Sequence, residues 1–108
     1  RVIKVAEALP RTAAGRHVAS QILRSGTSPA PNYGEARGAE SRADFQHKLK
    51  VVLKELKETM IWLKIILRAG MIASAKLTPL IDENEQLCRI VGASVKTSRS
   101  RQGTASDN

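Results

Sequence analysis

Two histidines, one cysteine and ten carboxylates are the side chains from which this chain could assemble a reaction centre, and their spacing works against one. His17 is followed by Ser20 and Gln21, which is no catalytic triad, and His47 pairs with Asp44 at i, i+3 as an ordinary helix-surface couple. Cys88 has no histidine one turn on, so a small core or interface residue is the expected role rather than a nucleophile. A single cysteine also rules out an intrachain disulfide and a cysteine-based zinc site, and suits a reducing cytoplasm. Gly15, Gly26, Gly34, Gly38 and Gly70 do not compose a phosphate-cradling loop or a dinucleotide fingerprint. Neither a metal nor a cofactor is expected, nor an enzymatic activity.

Two patterns remain. Glu55 and Glu58 lie one helical turn apart, and paired carboxylates can act as acid and base. Arg24, Ser25 and Asn32 on the preceding segment are natural partners for them, which favours a structural polar cluster. The more specific pattern is basic. Lys50, Lys54, Lys57, Lys64 and Arg68 recur on one helix face, interrupted only by Ile61. At the usual rise per residue this row is about 27 Å long and could follow a phosphate backbone. Such contacts add salt-dependent affinity without reading sequence. A solvated face is the plain alternative.

The charge distribution agrees with a polyanion partner. The chain of 108 residues carries a net charge of +8, and residues 1–76 hold fourteen Lys and Arg against six Asp and Glu. Arg16, with Arg1, Lys4 and Arg11, adds a second basic surface near the beginning. Tyr33, Phe45 and Trp62 are the only aromatics, too few for a surface that reads bases by repeated stacking. The most apolar run, Met60 to Leu67, is broken by Lys64 and is too short to span a bilayer, so no membrane association is expected.

Helices must position these groups, because no alternating strand pattern occurs. Residues 1–9 read as the end of an amphipathic helix stopped by Pro10; with no capping residue ahead of Val2, the sequence suggests that helix 1 lacks N-terminal turns. Thr12 caps a second helix, expected to run kinked to about residue 37 through Pro29 and Pro31. Ser41 and Asp44 open a long third helix over 42–69, whose seam runs through Phe45, Leu49, Val52, Leu53, Leu56, Met60, Leu63 and Leu67 before Gly70 ends it. Thr78-Pro79 predicts the start of the last helix, with Leu80, Leu87, Ile90 and Val91 inward and an end near Thr97. The tail, 98–108, reads as disordered. The predicted fold class is all-α, an antiparallel up-down four-helix bundle over residues 1–97. Val51, Trp62, Ile65 and Ile66 form a second apolar arc on the third helix, which faces either further helices of the chain or another subunit.

The stretches Gln21-Ile-Leu-Arg-Ser-Gly-Thr-Ser28, Asn32-Tyr-Gly-Glu-Ala36, Glu40-Ser-Arg-Ala-Asp-Phe45, Lys48-Leu49, Leu53-Lys-Glu-Leu-Lys-Glu-Thr59 and Trp62-Leu63 occur in that order. Together they strongly resemble the bacterial four-helix-bundle proteins encoded in intervening sequences of 23S ribosomal RNA genes. The resemblance covers nearly the whole chain to about Thr97. It implies a small homo-oligomer, commonly a pentamer, with no enzymatic activity. Related accessory proteins of diversity-generating retroelements bind a reverse transcriptase and nucleic acid. Pro29 and Pro31 depart from the family pattern, as do the missing turns of helix 1.

The functional expectation is a cytoplasmic, non-enzymatic homo-oligomer that binds structured RNA through its basic surface. The alternative is a protein-binding adaptor or accessory subunit, for example of a reverse transcriptase, with no direct role in RNA binding.

Overall fold

Pro10, Thr12 and Gly15 shape the first corner of the chain in a computed structural model that describes the backbone of residues 1–107 and the side chains of residues 1–99. Helix α1 (Val2–Ala8) stops before Pro10, and Thr12 Oγ1 accepts the Gly15 N–H at 3.0 Å to cap α2 (Ala13–Thr27). A Cβ at Gly15 would sit 1.9 Å from the Pro10 carbonyl oxygen, so only glycine lets the two helices fold back this tightly.

The helical arm expected over residues 12–37 is present as α2 and α3 (Pro29–Arg37), separated at Ser28 alone. Ser28 keeps helical angles, φ −71° and ψ −36°, so the prolines bend the arm without reversing it. Pro29 lies at the start of α3, where a missing N–H costs little. Asn32 Nδ2 donates to both the carbonyl and the hydroxyl oxygen of Ser28, each at 2.9 Å, which supports the backbone at the bend.

Helix α4 (Arg42–Arg68) starts where Ser41 Oγ accepts the Asp44 N–H at 3.0 Å. It ends in a Schellman motif: Met71 N–H donates to the Ile66 carbonyl, Gly70 N–H donates to the Leu67 carbonyl, and Gly70 takes a φ of +65°. Helix α5 (Ser74–Asp107) begins one turn earlier than the Thr78-Pro79 signal suggested. Pro79 is therefore inside the helix, and the Thr78 hydroxyl donates to the Ser74 carbonyl at 2.8 Å instead of capping. The earlier start carries Leu77 into the core, where it is fully buried. At the other end α5 continues past the expected stop at Thr97, and Ser98 is buried against the bundle. The side chains of 100–108, most of the tail expected to be disordered, lie outside the described residues.

The arms pack as an antiparallel bundle 56 Å long and 21 by 17 Å across, with α4 central: it touches α2, α3 and α5. Two core clusters divide the length. At one end Ala6, Leu9, Val18, Ile22, Leu63, Ile66, Leu77 and Leu80 draw on α1, α2, α4 and α5. At the other Ala36, Leu49, Val52, Leu56, Val91 and Val95 come from α3, α4 and α5 only. Helix α1 packs on the first cluster, and the second is open on one side.

That open side is a groove of about 630 Å³. Leu87 and Ile90, expected to face inward, line it at 42% and 62% exposure, and Tyr33 at 48% and Ile3 at 54% complete its apolar rim. Four of the seven large exposed hydrophobics among the described residues thus gather at one place. No described helix is long and apolar enough to cross a membrane.

Candidate functional site

The predicted polar cluster is assembled by the packing of α2 on α4, although its wiring differs from the expectation. Arg24 reaches across to both carboxylates, bonding Glu58 and lying 3.4 Å from Glu55. Gln21, one turn back on α2, steadies the guanidinium at 3.2 Å. Ser25 and Asn32 do not join them. Ser25 is too short to reach the carboxylates and is fully buried, sharing a 2.9 Å hydrogen bond with the Thr59 hydroxyl, while Asn32 turns back to Ser28. Thr59 also donates to the Glu55 carbonyl at 2.9 Å.

Sequence reasoning missed two members. Trp62 Nε1 donates to Glu58 at 3.1 Å, and the His17 ring meets the Trp62 ring edge-on at 5.9 Å. The spacing of Glu58 and Trp62, one turn apart, was the available signal. One oxygen of each carboxylate, Oε2, faces a cation or a donor on its own chain. Such a cluster clamps α2 to α4.

The second apolar arc is largely used inside the chain. Ile66 is fully buried in the first core cluster, and Trp62 packs against that cluster. Val51 is half-buried, and Ile65 remains exposed.

The basic row is solvent-facing throughout. Lys50, Lys54, Lys57, Lys64 and Arg68 are all exposed on the side of α4 turned away from the core seam. None of the five belongs to an ion pair among the described residues, whereas Arg1, Arg24, Lys48 and Arg89 each hold a carboxylate. Lys48 shows the contrast: its hydrogen bond to Glu35 at 2.8 Å, and the charge of that carboxylate, raise its pKa above the ordinary lysine value. Ile61, exposed in the middle of the row, separates Lys50, Lys54 and Lys57 from Lys64 and Arg68. Arg16 is exposed on α2. Among the described residues no three His, Cys, Asp or Glu side chains come together to hold a metal ion.

A family model described as 23S rRNA-intervening sequence protein matches residues 1–93. The chain belongs to that family. The intervening-sequence protein is also similar to a crystal structure of a protein with unknown function from the S23 ribosomal protein family of Bacteroides thetaiotaomicron VPI-5482. The two share 32% sequence identity over 89% of each chain, with a TM-score of 0.82. The antiparallel bundle with its central α4 is therefore the arrangement of a solved relative. A comparison with curated proteins found no match.

Proposed function

We propose that this intervening-sequence protein is a non-enzymatic, homo-oligomeric bundle of the cytoplasm that binds RNA along the exposed cationic face of α4. One observation carries the reading: five cations stand in a row on one uninterrupted helix, exposed and without carboxylate partners among the described residues. Like charges brought together on one rigid face repel one another, and a polyanion relieves that repulsion while releasing its own counterions. The acidic residues of the same helix are turned aside, Glu55 and Glu58 onto Arg24. Self-association, pentameric by family resemblance, is supported by the exposed Ile65 and the half-buried Val51, which share one face of α4 about 21 Å apart along its axis.

The test is filter binding of ribosomal RNA across a salt series, comparing the wild type with the triple variant Lys50→Gln, Lys54→Gln, Lys57→Gln. Glutamine keeps helix propensity, so the fold is retained. The expected result is weaker binding with the slope of log K against log salt reduced by about two to three. Light scattering on the same samples should return a mass above that of the 11.7 kDa chain for both proteins. RNA binding that is identical in the two proteins sinks the proposed surface.

A second reading, an accessory subunit that docks a protein, is favoured by the apolar groove between α3 and α5. An apolar interface of that kind holds at high salt, where phosphate contacts fail. Capture of a protein partner that resists high salt, with no retained RNA, would put this reading first.

A further inference from the structure

We infer that the cationic face of α4 is built for double-helical RNA, gripped through its phosphates, and not for single strands; the inference rests on the RNA-binding reading above.

The first support is what the surface lacks. Proteins that hold single strands combine positive charge with aromatic rings on which the bases stack. None of the three aromatic side chains of this chain belongs to the cationic row. Trp62 is half-buried, with its indole N–H on Glu58 and its ring against His17. Phe45 packs on the second core cluster. Tyr33 is exposed, but on α3 at the groove and not among the cations of α4. The exposed residue between the cations is Ile61, which has no ring to stack.

The second support is rigidity. All five cations stand on one uninterrupted helix whose start is capped by Ser41 and whose end is locked at Gly70. Their spacing is fixed, as two groups whose centres are about 18 Å apart along the axis. A duplex presents phosphates as regular, pre-ordered rows, so both groups can engage without ordering the ligand. A single strand has to be straightened along the helix at an entropic cost, and no base stacking offsets it here. The long lysine side chains and Arg68 meet phosphates as charge, so the surface distinguishes a helical from a flexible backbone but not one base sequence from another.

The experiment uses the whole chain and fluorescein-labelled RNA at one fixed salt concentration. The probes are two 20-base-pair duplexes of unrelated sequence and the separate strands of each, chosen to lack self-structure. The expected result is equal affinity for the two duplexes within about twofold, and strands bound about tenfold more weakly. The variant Lys64→Gln, Arg68→Gln, which removes one group, should weaken duplex binding by about three- to tenfold while circular dichroism shows the helix content retained. Strands bound as tightly as duplexes overturn the inference and leave the RNA reading standing. Duplexes that differ widely in affinity overturn phosphate-only contact. Absence of binding to every probe overturns the inference and the RNA reading together.

Discussion

Trp62 and Arg24 meet the same oxygen of Glu58, the indole from one turn along α4 and the guanidinium from α2. One carboxylate therefore satisfies a half-buried N–H and joins two helices. Glu55, which meets Arg24 alone with its side chain, is the lesser partner although it is the more buried of the two.

Removing the carboxylate at Glu58 should thus cost more than removing it at Glu55. Glu58→Ala leaves the indole N–H without its acceptor and is expected to destabilise the bundle by about 1–3 kcal/mol. Glu58→Gln keeps an oxygen for Trp62 and loses only charge on a half-exposed Arg24, so its cost should stay below about 1 kcal/mol. Urea unfolding measures the difference, and because Trp62 is the only tryptophan its fluorescence reports directly on the site. Equal losses for Glu58→Ala and Glu58→Gln would show that charge, not the indole bond, carries the effect.

The open groove makes a contrasting prediction about apolar residues. Leu63 is fully enclosed where all four arms converge, so Leu63→Ala should cost about 2–5 kcal/mol. Leu87 and Ile90 are apolar residues of α5 that face the groove, and Leu87→Ser or Ile90→Ser should cost less than about 1 kcal/mol. Denaturant midpoints at micromolar protein decide it. Losses at Ile90 comparable to those at Leu63 would mean that another molecule covers the groove in solution.

Local chemistry accounts for what could be read in advance. The caps at Thr12 and Ser41 and the stop at Gly70 involve residues within a few positions of one another, so their side-chain types predict them. The apolar period of α4 and its cationic face follow from the helix repeat alone. Other features depend on what lies opposite. Leu87 and Ile90 keep core spacing with Leu80 and Val91, yet whether they are covered depends on what packs opposite them. The start of α5 at Ser74 depends on the first core cluster drawing in Leu77, which outweighs the local signal of Thr78-Pro79. In the polar cluster, the long reach of Arg24 made its pairing with Glu55 and Glu58 foreseeable. The contact between Ser25 and Thr59, two short side chains 34 positions apart, needs the helix-to-helix register.

Cys88 offers a probe of the neighbouring charge row. Burial raises its thiol pKa above the ordinary value, the charge of Lys57 opposes that shift, and Glu85 adds to it. Only the thiolate is nucleophilic, so near neutral pH the folded protein holds less of the reactive form than the unfolded chain. Alkylation of Cys88 by iodoacetamide should therefore be slower in the native protein than in urea, and the gap should narrow as pH rises through the raised pKa. Lys57→Gln removes the cation that favours the thiolate and should slow the reaction further. RNA seated on Lys57 acts in the same direction, because its phosphates neutralise that cation as well as shielding the sulfur. Adding RNA at low salt is expected to lower the alkylation rate, and raising the salt should restore it. A rate that RNA leaves unchanged while binding is demonstrated would place the contact away from Lys57, on Lys64 and Arg68 or on the basic residues of α1 and α2.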